Sequence, residues 1–259
     1  MSKALHFHER LKKGYGWKPK HPTTKFPLYG ARVEAGALPS QVDLRPQYPA
    51  VYDQGQLGSC TGNGWAGAVE FLFLKQGLPD FTPSRLFIYY NERVIDGDTG
   101  VDAGAAVSDG ASVVSTLGCP HEALWPYDIN KFAKKPDPDA YQDGLKHLAF
   151  QAQQVAQDLT TMKEVVAGGH PLVIGFTVYK SFESTQVEDT GIVPMPGYSE
   201  PVVGGHCVVI VGYDDTQSSF IIRNSWGNTW GLNGYALMPY MYLTNPRLAS
   251  DFWTIGTTE

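Results

Sequence analysis

The sequence predicts an α+β protein of two lobes meeting at a cleft, and three observations carry that prediction. The first half of the chain is written at helical spacing. The second half falls into short apolar runs of strand length. Glycine and proline (28 and 18 of 259 residues) are plentiful enough to suit a loop-rich fold rather than a helical bundle. At 42% hydrophobic and 18% charged, the chain can bury a sizeable core.

Residues 1–37 contain Gly14, Gly16, Pro19, Pro22, Pro27, Gly30 and Gly36 and no sustained periodicity. They are expected to form an arm, mostly extended, with one short helical turn near residues 8–12. The body, residues 38–259, begins at Leu38-Pro39. Ser59 is placed to cap a helix running from residue 60 to about 76, with Gly77 as its stop. Trp65, Ala66, Ala68, Val69, Phe71, Leu72, Phe73 and Leu74 make that helix apolar nearly all round, so it should be buried. Thr82-Pro83 should open a second helix through Leu86, Tyr89, Tyr90 and Val94. A third is expected from about 105 to 117, stopping at Gly118. Thr161 and Glu164 stand at capping-box spacing on a short helix ending near Ala167. Strand-like runs follow at 172–178, 207–213, 220–223, 235–238 and 253–255, with 214–218 as a hairpin loop. The helical lobe is therefore placed at about 51–130 and the strand lobe at about 150–259.

The net charge of −6 makes a nucleic-acid partner a poor electrostatic match. The charge is uneven: residues 1–25 hold Lys3, Arg10, Lys12, Lys13, Lys18, Lys20 and Lys25 against Glu9 alone, a surplus of +6 that leaves −12 on the remainder. A basic arm on an acidic body invites docking of one on the other, but composition alone leaves the plainer reading, a solvated terminus, ahead. No window approaches the ~20 apolar residues of a membrane span, so no membrane partner is expected. The first residues lack the apolar run of a secretory signal, which points to the cytoplasm or to export without such a signal.

Three cysteines, Cys60, Cys119 and Cys207, are too few and too odd in number for a disulfide framework. None has Cys-x-x-Cys spacing, so neither a structural zinc site nor any cofactor is expected. His6 and His8 have a spacing that could chelate a metal, but they read first as arm residues, like His21. Asp102, Asp214 and Asp215 read as loop residues rather than metal ligands.

One lone cysteine in a glycine-rich turn before a helix is the candidate nucleophile. A helix N-terminus and a nearby imidazolium would both favour its thiolate. Gly58, Gly62 and Gly64 leave room around Cys60 for a substrate backbone. His206 follows Gly204-Gly205 at the entrance of an apolar run, which suits a base held at a strand end. An imidazole needs an orienting acceptor, and Asn224, at the end of the neighbouring run, offers a carbonyl that does not take the proton. Trp226 is placed to shield that hydrogen bond from water.

These residues sit in motifs. The run Gln54-Gly55-Gln56-Leu57-Gly58-Ser59-Cys60 resembles the nucleophile motif of the papain-like cysteine peptidases. Asn224-Ser225-Trp226-Gly227-x-x-Trp230-Gly231-x-x-Gly234-Tyr235 is similar to that family's asparagine motif almost letter for letter. Residues 38–45 resemble its mature N-terminus, and Leu124-Trp125-Pro126-Tyr127 an aromatic-Pro-Tyr segment, so the likeness covers about residues 38–259. The resemblance implies a papain-like fold: a helical left lobe around a central buried helix, an antiparallel barrel-like right lobe, and the active site between them. It implies a thiol endopeptidase forming a thioester on Cys60, with His206 as base, Asn224 as orienter, and the Gln54 amide with the Cys60 N–H as oxyanion hole. Substrate contacts carried over are Gly104 and Ala105 as the rim, Trp226 as the S1′ wall, Gly205, and Val107, Gly175 and Cys207 around S2. The P2 side chain is accordingly expected to be aliphatic or aromatic rather than charged.

Departures from the family pattern carry expectations too. Leu57 and Asp102 stand where the family usually has a disulfide, which fits a reducing compartment or a short bacterial-type member. Thr61 replaces the usual aromatic after the nucleophile. The arm is shorter than the family's pro-segment, and it is expected to act in cis on the cleft. No histidine lies between Trp125 and Pro136 to bind a chain terminus, which favours endopeptidase action on polypeptides. The same constellation would also serve an acyl-transfer enzyme (a transpeptidase or deamidase), while a non-catalytic binding protein would have no need of both thiol and base.

Overall fold

The computed structural model describes residues 14–20, 26–30 and 38–258. The turn expected near residues 8–12, and His6, His8 and His21, lie outside them.

Helix α1 (Cys60–Lys75) is the axis of the molecule, with every residue from Cys60 to Phe73 buried. Helices α2 (Arg85–Asp96) and α3 (Val107–Thr116) pack on one side of it, and a seven-stranded sheet lies on the other. A helix apolar all round can only sit between two layers, and that position explains its composition. Two shorter helices, α4 (Pro138–Gly144) and α5 (Leu159–Ala167), lead into the sheet lobe.

The strands are β1 (Gln41–Asp43), β2 (Ala149–Phe150), β3 (Gln153–Gln154), β4 (Leu172–Tyr179), β5 (Val202–Asp214), β6 (Ser219–Arg223), β7 (Tyr235–Pro239), β8 (Ala249–Thr254) and β9 (Thr257–Thr258). The large sheet runs β3-β8-β4-β5-β6-β7, with β1 pairing on β5 and every named pairing antiparallel. The pair β2–β9 stands apart. The hairpin expected at 214–218 joins β5 to β6, with Asp214 opposite Ser219. Among the described residues no helix is long and apolar enough to cross a membrane.

Three helix starts differ from expectation. Ser59 stands at the N-cap of α1 but makes no capping bond. Its hydroxyl pairs instead with the Tyr127 hydroxyl (2.5 Å) and accepts from Asn63 Nδ2 (3.1 Å). Helix α2 is capped by Ser84, which accepts the Phe87 N–H, because Pro83 is drawn into a bridge with His121. Helix α5 is capped by Asp158, whose carboxylate accepts the Thr161 N–H at 2.9 Å, so Thr161 is the recipient of a cap rather than the cap. Strand β5 also starts five residues earlier than expected, which places His206 within the strand and not at its mouth.

Candidate active site

The first turn of α1 and the middle of β5 meet at the cleft floor. There Cys60 and His206 are both 0% exposed. Asn224 follows the last residue of β6, and its Oδ1 lies 2.7 Å from His206 Nε2. The same oxygen accepts the Ser225 N–H at 2.8 Å, which fixes the amide's orientation. His206 Nε2 therefore donates, and Nδ1 is left as the basic nitrogen. Trp226 stacks on the imidazole at 4.8 Å between centroids with its plane tilted by 27°, and Phe182 packs on Trp226 at 5.6 Å. The indole shields the His–Asn bond, as its position after Asn224 suggested.

Gln54 is fully buried and locked at both ends of its amide. Its Oε1 accepts from Ser225 Oγ (2.5 Å) while its Nε2 donates to Leu57 O (2.8 Å) and Gly14 O (3.0 Å). Tyr127 braces the same turn, donating to Gln54 O at 2.9 Å while pairing with Ser59. Where the disulfide is missing, Asp102 takes over its role. Its carboxylate accepts the Gly58 N–H at 3.0 and 3.1 Å and so ties the nucleophile turn to the rim. Thr61 donates to the buried Glu92 at 2.6 Å, and burial pushes that carboxyl up to about 8. That exchange explains how α1 packs without the aromatic.

The Gly14-Tyr15-Gly16-Trp17 segment of the arm lies in this cleft. Trp17 N donates to Gly205 O (3.0 Å), Ala105 N to Gly16 O (2.6 Å) and Lys18 N to Ala105 O (3.0 Å), a parallel pairing on the expected rim. Gly104 beside it is held by Tyr89, whose hydroxyl accepts its N–H at 3.0 Å. The Trp17 ring fills the space above Gly175, where a Cβ would lie 2.0 Å from the indole. Tyr15 sits edge-on to His206 and Trp226 and donates to Glu183 at 2.6 Å. Lys18 pairs with Asp98 (3.0 Å), and Lys20 with Asp109 (2.6 Å) and Asp96 (3.3 Å). Residues 26–30 make a second attachment, with Tyr29 N donating to Gln154 O (2.7 Å) and Phe26 against Trp253. The described parts of the arm are thus docked rather than solvated, and the lysine–aspartate pairs show the charge complementarity at work.

The surroundings of Cys60 in the docked state oppose the thiolate that its helix N-terminus favours. Burial under the arm pushes the thiol up to about 12, against backbone N–H groups of Cys207, Gly16 and Thr61 directed at the sulfur. With the arm in place, burial works against a thiolate at Cys60. Burial likewise raises Cys207, which turns its sulfur toward Gly64 on α1, and Cys119 is buried far along the chain from either.

Sequence reasoning missed Asp251. Its Oδ2 accepts the Val107 N–H at 2.8 Å and approaches Trp17 Nε1 at 3.4 Å, so the pocket walled by Val107 and Gly175 ends in a carboxylate. Burial pushes that carboxyl up despite four donors, the Trp253 and Trp17 indoles and the Val107 and Ser108 N–H groups. Nothing in a short strand run marks such a residue. The docking of Trp17, by contrast, had a signal: glycine alternates with aromatics at 14–17, and only glycine fits at 16, where a Cβ would lie 1.6 Å from Gly58 O.

The model of the papain family cysteine proteases matches residues 38–245. An uncharacterised peptidase C1-like protein of Acanthamoeba polyphaga mimivirus is 42% identical over 239 residues, covering 87% of this chain and 77% of the relative. The crystal structure of xylellain, a cysteine protease from Xylella fastidiosa, superposes with a TM-score of 0.88 at 41% identity, covering 96% of this chain and 97% of that one. The fold is also that of procathepsin B S9 from Trypanosoma congolense, at a TM-score of 0.74 and 18% identity, over 98% and 89% of the two chains.

Proposed function

Because this chain belongs to the papain family of cysteine proteases, and is a cysteine-type endopeptidase acting on polypeptides, we propose that Cys60, His206, Asn224 and Gln54 carry its reaction. Cys60 Sγ, once its proton has passed to His206 Nδ1, attacks the scissile carbonyl carbon. The oxygen takes the negative charge, stabilised by Gln54 Nε2 and the Cys60 N–H. Collapse to a thioester expels the amine, which takes its proton from His206 Nδ1. A water then attacks the thioester as His206 accepts its proton, releasing the acid and the thiol. Asn224 holds the imidazole in the tautomer both steps need.

The observation that carries this reading is that the Gln54 amide already donates to a peptide carbonyl, that of Gly14, beside the thiol and the His206–Asn224 pair. The arm is held there but not as a substrate. The carbonyl on Gln54 belongs to Gly14, whereas the arm group directed at Cys60 Sγ is the N–H of Gly16. Residues 38–259 act as the peptidase domain in this reading, and residues 1–37 as a basic arm that keeps it latent in cis. The pocket that takes Trp17 suits a large apolar P2 side chain. Asp251 adds an acceptor there for a group with an N–H, which modifies the expectation of a wholly apolar pocket.

Gln54→Ala tests the oxyanion assignment. Removing one such donor should lower kcat by about 10²–10³, or about 2.7–4 kcal/mol, with KM changed far less. A Gln54→Ala enzyme with an unaltered kcat would remove Gln54 from the mechanism.

A further inference from the structure

The outer face of the helical lobe carries a second cluster of chemically active side chains that the peptidase reaction does not use. His121, Asp143 and His147 each offer one ligand atom, and these atoms lie within 4.8 Å of one another. His121 Nδ1 stands 2.7 Å from Asp143 Oδ2, which also accepts the His121 backbone N–H at 3.0 Å. The His121 and His147 rings lie 5.0 Å apart on a floor made by Phe81 and Phe73. The buried Nδ1 of His147 has no hydrogen-bond partner. An aromatic-backed pair of imidazoles with one ring nitrogen unsatisfied is costly unless something else completes it.

From this geometry we infer that His121, Asp143 and His147 bind a single divalent transition-metal ion of the zinc class. Two imidazoles and one carboxylate suit zinc, cobalt or nickel, whereas magnesium and calcium need a shell of oxygens. The fourth position is open to water on the solvent side, since His121 is half exposed. Metal–ligand bonds of 2.0–2.2 Å put tetrahedral ligand atoms about 3.4 Å apart, so rotation of one ring has to close the remaining gap.

The donors are ready for a cation. Burial would push the Asp143 carboxyl up, but the His121 backbone and ring and the Lys146 ammonium outweigh it and hold the group down at about 2. Burial lowers the His147 pKa, with His121 and Lys146 acting in the same direction against Asp143. The backbones are already fixed: Cys119 N donates to His147 O (3.1 Å), His147 N to Gly144 O (2.9 Å), and His121 bridges Pro83. An ion here would pin the end of α4 to the segment that leads on to Tyr127.

The site is separate from the catalytic thiol. Phe73 lies thirteen residues beyond Cys60 on α1, about 20 Å along its axis at 1.5 Å per residue. Sequence reading passed over it because the ligands come from three segments with 21 and 3 residues between them, a spacing no short motif records.

The test is a cobalt titration of the full chain carrying Cys60→Ser, so that the nucleophile cannot compete. One Co²⁺ per chain should bind with the visible absorption of a nitrogen–oxygen site and no thiolate-to-cobalt charge-transfer band, and Zn²⁺ should displace it. His147→Gln and His121→Gln should each weaken binding at least tenfold, while His6→Gln with His8→Gln should leave it unchanged. Zn²⁺ should raise the Tm of the parent but not that of His147→Gln. His147→Gln sacrifices no hydrogen bond at Nδ1, so it separates ligation from folding should His121→Gln prove unstable. Stoichiometric binding that survives both substitutions, a thiolate band, or no binding of either ion at micromolar concentration would overturn the inference.

Discussion

Cys60→Ala is expected to abolish peptide hydrolysis, a fall of about five to six orders of magnitude in kcat, with the fold intact. The side chain is small and fully buried at the start of α1, so its loss removes one sulfur and little packing. His206→Ala should cost nearly as much, because the same imidazole serves both proton transfers. Asn224→Ala should cost less, since its Oδ1 orients the ring at 2.7 Å without exchanging a proton. Steady-state kinetics on a small peptide, with circular dichroism to check the fold, measures all three. Full activity in Cys60→Ala would remove the thiol mechanism from this chain.

The residues proposed as catalytic stood out because they lie in short linear motifs whose chemistry depends on their neighbours: Gln54 six residues before Cys60, and Asn224 two before Trp226. Helix α1 was legible because a circumference apolar nearly all round permits only one kind of position. The caps were not, because Thr82 and Ser84, or Thr161 and Asp158, are equally able acceptors. The choice between them is made by tertiary contacts such as the Pro83–His121 bridge. Helix α4 and strands β1–β3 are too short to carry a period. The state of Cys60 was also out of reach, since a helix N-terminus and an imidazole argue for a thiolate while the arm's cover argues against it. Only the structure brings Gly14–Trp17 over the sulfur. The charge surplus of the arm left docking on the acidic body and a solvated terminus both open, because its targets Asp96, Asp98 and Asp109 are scattered in sequence.

Weakening the arm should have the second large effect, in the opposite direction. Trp17 is the buried anchor, and truncation of such a ring costs about 3 kcal/mol or more. At about 1.4 kcal/mol per tenfold, Trp17→Ala should raise the open population, and with it kcat/KM on a small peptide, by about a hundredfold. Gly16→Val should act in the same way, because its Cβ would collide with Gly58 O. Added salt should raise the activity of the parent more than that of either variant, since the Lys18 and Lys20 pairs are partly exposed and screened. A chain beginning at Leu38 gives the limiting value. Unchanged kcat/KM in a folded Trp17→Ala or truncated protein would show that the arm is a strap with no bearing on access.

On this reading Cys60 is the nucleophile of a peptidase held latent by its own residues 14–20. Labelling with a peptidyl epoxide, followed by mass mapping of the three thiols, tests it most directly. The predicted result is modification of Cys60 alone, slow in the full chain and at least tenfold faster in Trp17→Ala, as the displaced arm returns the sulfur to solvent and lowers its pKa. Modification of Cys119 or Cys207 instead, or a Cys60 rate indifferent to Trp17, would contradict it.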